Sequence, residues 1–402
     1  GSAKRAEFST LWAQQVLQKA NVNALSHLKS VHASVAELTA KQRKLLQSDP
    51  NVEYIEEDHK RYLMDVITPM AQTTPYGITM VQANQVSDGS AGNTKVCVID
   101  TGWTSGHEDL QNSGVTGYSF SGHGNWYQDG NGHGTHVAGT MVALNNNSGV
   151  VGTIGSGQAG VHIVKIFNNS GNWTTASNLI TAIQSCKDAG AKVVNMSLGG
   201  GSSNQTENNA MTNFYNGGML LVAAAGNDGN TSFSYPASYN SVVSVAAVNS
   251  SGSLASFSQR NSQVELAGPG VSVNSTYKNS SYSSLSGTSM ASPHVAGVAA
   301  LILQKKPTAT PDEVESILKT TTRAFPATCT SLRQNRIQPG ESIPCRSAIS
   351  GLPPLTAAMK PLRKVSSWMS SAPTPKRPTR NSLLAPEFHV RLSPRMKVAV
   401  WV

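Results

Sequence analysis

The stretch KVCVID, Lys95 to Asp100, is apolar and largely β-branched up to its last residue, a carboxylate followed by Thr101-Gly102. A strand of this kind has no polar face to give to water, so it belongs in a sheet covered on both sides. HIVKIF (162–167), AKVVNMSL (191–198) and MLLVAAAGN (219–227) read the same way. Helical patterns lie between them. In TTASNLITAIQSCKDAG (174–190), Leu179, Ile180, Ile183 and Cys186 recur on one face and Gly190 is a stop signal. The alternation runs from Val81 to about Ala324 and predicts an α/β domain with a mainly parallel sheet flanked by helices on both faces. Such sheets carry their sites at the carboxyl ends of strands.

Four polar groups fall at those ends. Asp100 closes the first strand and Asn227 the fourth; DGNGHGTHVAGT places His133 just inside a helix start, and SGTSMASPHVAGVAALIL puts Ser289 at the start of a strongly apolar helix. A serine hydroxyl is a weak nucleophile until an imidazole takes its proton, and the imidazole needs a carboxylate on its other nitrogen. Asp100, His133 and Ser289 supply these groups. The developing oxyanion needs donors held in place, which the Asn227 amide and the Ser289 N–H at a helix start can provide.

The blocks VIDTG, HGTHVAGT, AAAGN and SGTSMASPH, in that order, resemble the signature of the subtilisin (subtilase) family of serine endopeptidases, peptidase S8. The resemblance runs from about Ala71 to Phe325. It implies that Asp100 orients, His133 is the base, Ser289 attacks and Asn227 stabilises the oxyanion. It implies too that Ser197, Leu198, Gly199 and Gly200 bind substrate backbone as an added strand. The first pocket would be walled by these residues, by Ala224 and Gly226, and by Ser234-Tyr235-Pro236, where the family's peptide bond is usually cis. Small or apolar walls with no carboxylate favour large hydrophobic residues and broad cleavage. ALNNNSGV resembles the family's calcium loop, which implies Ca2+ held by Gln72, Asp109, Leu144, Asn146, Ser148 and Val150, all oxygen donors.

The same resemblance divides the chain. Residues 1–64 read as a partial propeptide, a small α+β unit that inhibits intramolecularly and assists folding, with the family's first strand absent. Residues 65–75 read as a processing linker, with MAQTTPYG resembling a mature start and implying autocleavage after Met70. The catalytic domain is expected over 76–328. The abrupt change beyond it, over 329–402, resembles no family ending and reads as a substituted tail.

Composition fits this division. The net charge of +9 is uneven, because after Ser331 twelve Lys/Arg face two Glu and ten of the nineteen prolines collect. Such a tail resists forming a packed core, and binding of nucleic acid is not the expected use of its charge. Four cysteines suit an exported protein with two disulfides, and four allow three connectivities. Cys97 and Cys186 lie on an adjoining strand and helix and can pair; the family's partner of Cys329 is missing, and Cys345 is a substitute. No run of about 18 apolar residues exists and the N-terminus lacks a signal-peptide core, so no membrane segment is expected, and secretion is inferred from family and cysteines.

Rival motifs are weaker. GTSMA occurs in an order that excludes the α/β-hydrolase arrangement, where Ser precedes Asp and His. HGTH has no third metal ligand, which leaves His136 to packing. GSGQAG (155–160) precedes a strand instead of the helix a dinucleotide needs. The expected protein is a monomeric, self-maturing secreted endopeptidase acting on proteins and peptides. A catalytically silent homologue, propeptide-locked or misfolded and acting as a binding protein, is the alternative.

Overall fold

The structure is a computed structural model that describes residues 9–63, 66–67, 75–146, 148–322 and 398–401. The N-terminal unit begins with α1 (Thr10–Gln18), capped by the Ser9 hydroxyl, then β1 (Ser26–Leu28) and β2 (Ala33–Val35). It continues through α2 (Ala40–Gln47), held by a Thr39/Gln42 capping box, to β3 (Val52–Glu56). Ala13, Val16, Leu17, Leu46 and Val52 form its small core. Two short strands follow, β4 (Lys60–Leu63) and β5 (Val66–Ile67).

Next come α3 (Tyr76–Met80), β6 (Lys95–Asp100), β7 (Val115–Ser119), α4 (His133–Val142), β8 (Gly160–Lys165), β9 (Thr174–Thr175) and α5 (Ala176–Asp188). They are followed by β10 (Val193–Met196), β11 (Leu198–Gly199), α6 (Gln205–Asn216), β12 (Leu220–Ala224), β13 (Val243–Val248) and β14 (Val264–Pro269). The hairpin β15 (Val273–Tyr277) and β16 (Ser281–Ser286) leads into α7 (Thr288–Lys305), then α8 (Pro311–Thr321), and β17 (Val398–Trp401) is last.

Seven parallel strands form the central sheet in the order β14-β13-β12-β10-β6-β8-β7. Along β6 the alternation of a strand is visible in the burial. Val96 and Val98 pack with Val137, Met141 and Val295 of α4 and α7, whereas Cys97 and Ile99 pack with Leu179, Ile183, Met211 and Phe214 of α5 and α6. Both faces are therefore covered. Cys97 and Cys186 form a disulfide that ties β6 to α5, with Cα atoms 5.7 Å apart.

After β6 the chain makes the edge strand β7, inserts β8 between it and β6, and then returns to add β10 on the other side of β6. A reversal of this kind leaves a crevice beyond the carboxyl ends of the two strands, here those of β6 and β10. Asp100 ends the first, and Ser197 follows the second.

Two elements depart from the sequence reading. Val66–Ile67, in the segment read as linker, is a strand antiparallel to β16. Val398–Trp401, in the tail whose composition resists forming a packed core, is a strand between β2 and β3, parallel to both. In both cases pairing with a distant partner overrides local composition. Gln72, the Met70–Ala71 bond, Cys329 and Cys345 lie outside the described residues. Among the described residues no helix is long and apolar enough to cross a membrane.

Candidate active site

Asp100 is held at the end of β6, fully buried, with Oδ1 accepting from Thr101 N at 2.7 Å and from His133 Nδ1 at 2.6 Å. His133 is the first residue of α4, after Gly132 at φ 102°, a conformation that favours glycine. Gly134 lets that helix seat on the Asp100 turn, since a Cβ there would stand 2.5 Å from Gly102 O. The imidazole donates through Nδ1, which leaves Nε2 as its basic nitrogen. Burial pushes the Asp100 carboxyl above the usual carboxylate range, against the opposing pull of His133 and the Thr101 N–H.

A second buried carboxylate holds this corner together. Asp129 Oδ1 accepts from Thr101 Oγ1 (2.9 Å) and Gly132 N (2.9 Å), and Oδ2 from Thr135 N (2.9 Å) and Oγ1 (2.7 Å). Lys165 lies beneath, its ammonium donating to Thr101 O, to Gln128 O (3.2 Å) and to Asn169 Oδ1 (2.9 Å). Burial lowers the Lys165 pKa, while Asp129 and Asp100 raise it. Sequence reasoning missed both residues. The available signals were a charged residue inside the apolar run HIVKIF and a carboxylate four positions before His133.

Ser289 is the second residue of α7, fully buried, with its hydroxyl 3.1 Å from Ser197 O. The chain from β10 into β11 fixes this helix end. Asn195 Oδ1 accepts from Ser292 Oγ at 2.7 Å, Asn195 Nδ2 donates to Ser197 Oγ at 2.9 Å, and Ser197 Oγ donates to Ser289 O at 2.8 Å. Asn227 lies opposite. Its Oδ1 accepts from Thr288 N (2.9 Å) and Thr288 Oγ1 (2.8 Å), and its buried Nδ2 has no partner among the described residues. The amide is thus oriented with a spare donor, and Thr288, unremarked in the sequence, orients it.

Leu198 and Gly199 form β11 directly after Ser197, and Ala224 ends β12 two residues before Gly226. Gly226 N donates to Thr288 Oγ1 at 3.1 Å, and Gly200 exchanges backbone hydrogen bonds with Tyr235, whose bond to Pro236 is cis. The edge of β11 is not bare. Leu198 and Gly199 pair antiparallel with Leu63 and Tyr62 of β4, whose other side pairs with β9. The N-terminal unit is anchored there by charge. Glu56 accepts from Gln205 N (2.9 Å) and Thr206 N (2.8 Å) at the start of α6, and Asp58 accepts from Ser177 N (2.8 Å) at the start of α5. Carboxylates at helix N-termini are favoured by unpaired N–H groups and the macrodipole. Arg61 is buried in contact with Glu207, donating through Nε at 3.1 Å.

The expected calcium ligands are partly gathered. Leu144 N donates to Asp109 O (2.8 Å) and Val150 N to Asp109 Oδ2 (2.6 Å), so the loop 144–150 wraps the Asp109 side chain. Burial raises the Asp109 pKa. Its Oδ1 is buried with no partner among the described residues, an oxygen a hard cation fits. Asn146 Oδ1 accepts from Ser148 N at 2.9 Å. Among the described residues no three His, Cys, Asp or Glu side chains gather at one point.

Residues 91–341 match the model of the Subtilase family. The thermostable alkaline protease of Halalkalibacterium halodurans is 41% identical over 311 residues, which span 77% of this chain and 82% of that protein. Subtilisin DY of Bacillus licheniformis is 45% identical over 257 residues, 62% of this chain and 92% of that one. Among solved structures, a psychrophilic subtilisin-like protease from Antarctic Pseudoalteromonas sp. AS-11 superimposes with a TM-score of 0.60 at 32% identity, covering 64% of this chain and 94% of that one.

Proposed function

The chain belongs to the subtilase family of serine endopeptidases, and from that premise we propose that Ser289 is its nucleophile, His133 the general base and Asp100 the group that orients the base. The observation that carries this is the buried 2.6 Å contact of His133 Nδ1 with Asp100 Oδ1 at the strand edge where α7 presents Ser289. With Nδ1 engaged, Nε2 takes the Ser289 proton as Oγ attacks the peptide carbonyl, and returns it to the leaving amine. The oxyanion is met by Asn227 Nδ2 and the Ser289 N–H. Water then repeats the sequence on the acyl-enzyme.

Substrate chains add as a strand along Ser197–Gly200, with a large apolar side chain entering the pocket beside Ala224, Gly226 and Tyr235. The β4 pairing supports this reading, since a peptide strand already occupies that edge. The N-terminal unit is an intramolecular inhibitor removed by self-cleavage, and the mature enzyme acts outside the cell as a monomer. Gln72, Asp109, Leu144, Asn146, Ser148 and Val150 would hold calcium through oxygen atoms, and the bound ion would pin the loop against local unfolding. Hydrolysis of casein or an anilide peptide with an aromatic residue before the cut should be abolished by a serine-directed phosphonate and by Ser289→Ala. Retained hydrolysis in Ser289→Ala would refute the assignment.

A further inference from the structure

A buried arginine of the N-terminal unit enters the catalytic domain beside the crevice. β4 lies between β9 and β11, with Lys60 opposite Thr175, Arg61 opposite Thr174, Tyr62 opposite Gly199 and Leu63 opposite Leu198. The Arg61 side chain reaches the first turn of α6, where it and Glu207 are both fully buried. Its Nε donates to Glu207 Oε1 at 3.1 Å and its Nη2 to Oε2, the two-pronged fit of a guanidinium on a carboxylate. Nη2 donates also to Ser202 O at 3.3 Å, and the Tyr239 hydroxyl donates to Glu207 Oε2 at 2.7 Å. Gly200 leaves room for the arginine, since a Cβ there would run into Lys60 O and stand 3.3 Å from Arg61 Nη1.

Ser202, Glu207 and Tyr239 belong to the catalytic domain and are left vacant when the N-terminal unit departs. We propose that Glu207, supported by Tyr239 and the Ser202 carbonyl, is a specificity pocket that selects arginine in substrate chains. The proposal rests on Ser289 being the nucleophile and on substrate adding as a strand along β11. In an antiparallel ladder one step along one strand is one step back along the other. The substrate residue opposite Ser197, whose carbonyl lies 3.1 Å from Ser289 Oγ, is the last before the cut. The residues opposite Leu198 and Gly199 are the second and third before it. The next one upstream takes the place of Arg61, so the selected arginine is the fourth residue before the cut.

The chemistry of the pocket sets the order of preference. An arginine restores both prongs on the carboxylate, whereas a lysine brings a point charge that cannot span its two oxygens. A leucine would strip water from the Glu207 carboxylate and leave it buried with Tyr239 alone, and a glutamate would set like charge against it. Position along the chain separates Arg61 from the other charged contacts of the N-terminal unit. Glu56 and Asp58 reach the starts of α6 and α5 from outside β4, whereas Arg61 lies within the strand that runs along β11. The residue before it, Lys60, holds its ammonium 3.9 Å from the centre of the Trp173 ring, an exposed contact that discriminates weakly. Selection by charge is therefore concentrated at one substrate position, apart from the apolar pocket beside Ala224 and Gly226.

The test takes the full-length chain, incubated until it labels with the serine-directed phosphonate, the label giving the concentration of active enzyme. Its substrates are anilide peptides with an aromatic residue before the cut and arginine, lysine, leucine or glutamate as the fourth residue before it. Arginine should exceed leucine in kcat/KM by about 10- to 10²-fold, with lysine between them and glutamate lowest. Moving the arginine to the third or fifth residue should lose the gain. Glu207→Leu should abolish the preference for arginine and favour the leucine peptide. Where that variant yields no chain that labels, the wild-type series decides by itself. Leucine cleaved as well as arginine by a chain that labels, or an arginine preference that survives Glu207→Leu, would overturn the proposal alone. No hydrolysis and no labelling of the wild-type chain would overturn the nucleophile assignment and this proposal with it.

Discussion

Pro293 lies inside α7 without the N–H that would bond the carbonyl four residues back, that of Ser289. Ser197 Oγ takes that role at 2.8 Å, so a cleft hydroxyl closes the helix turn that presents the nucleophile. Ser197→Ala removes that buried hydrogen bond and should cost about 0.5–1.5 kcal/mol, seen as faster thermal inactivation together with a fall in kcat at little change in KM. Asn227→Ala removes the spare amide donor and should lower kcat by about 10²- to 10³-fold with KM nearly unchanged. A loss confined to KM would sink its oxyanion role. Histidines set a pH limit of their own: burial holds His136 down to about 3, and His162 and His294 down to about 4. The unfolded chain binds those protons near pH 6.5, so stability is full above that pH and falls on acidification towards pH 4. The slope approaches about 1.4 kcal/mol per pH unit for each histidine. Unfolding of the phosphonate-inhibited enzyme should show this between pH 7 and 5, and equal stability at both would contradict it.

Elements were legible from the sequence where burial on two faces wrote itself into composition. KVCVID and MLLVAAAGN are strands because no other placement hides so many β-branched and small apolar side chains, and Asp100 and Asn227 were findable as the polar residues ending them. Asp129 and Lys165 were not singled out, because the value of a buried charge depends on partners from other elements, Thr101 and Thr135 for the one, Gln128 and Asn169 for the other. The short strands β4, β5 and β17 were illegible as a group of pairings, since two to four residues carry no period and register is set by the partner. The Cys97–Cys186 bond joins residues 89 apart, and its loop lies between the central strand β6 and α5. Opening it with Cys97→Ser and Cys186→Ser together should cost about 2–4 kcal/mol, read as faster thermal inactivation, with kcat/KM of surviving enzyme unaltered.

At the scale of the whole molecule, the N-terminal unit meets α5 and α6 through an apolar face, with Leu28 and Ala33 in one buried cluster with Ile183 and Met211, and adds polar anchors and strand pairing. Glu56→Gln and Asp58→Asn should each weaken that hold by about 0.3–2 kcal/mol, measured as a shorter lag before activity appears, more marked at low salt. The unit's own sheet has a particular weakness, because β2 and β3 stand one strand apart and the gap between them is filled by Val398–Trp401 from the far end of the chain. Unpaired strand edges exchange their amide hydrogens with water, so the last residues protect backbone on both sides of the gap. A chain ending at Lys397 should therefore show faster hydrogen exchange in Ala33–Val35 and Val52–Glu56 while the central sheet, from β14 to β7, keeps its protection. If the unit inhibits as proposed, its lag should shorten as well, because a less stable unit leaves the cleft more readily. Unchanged exchange in both strands would show that the C-terminal strand does not hold the unit together in solution.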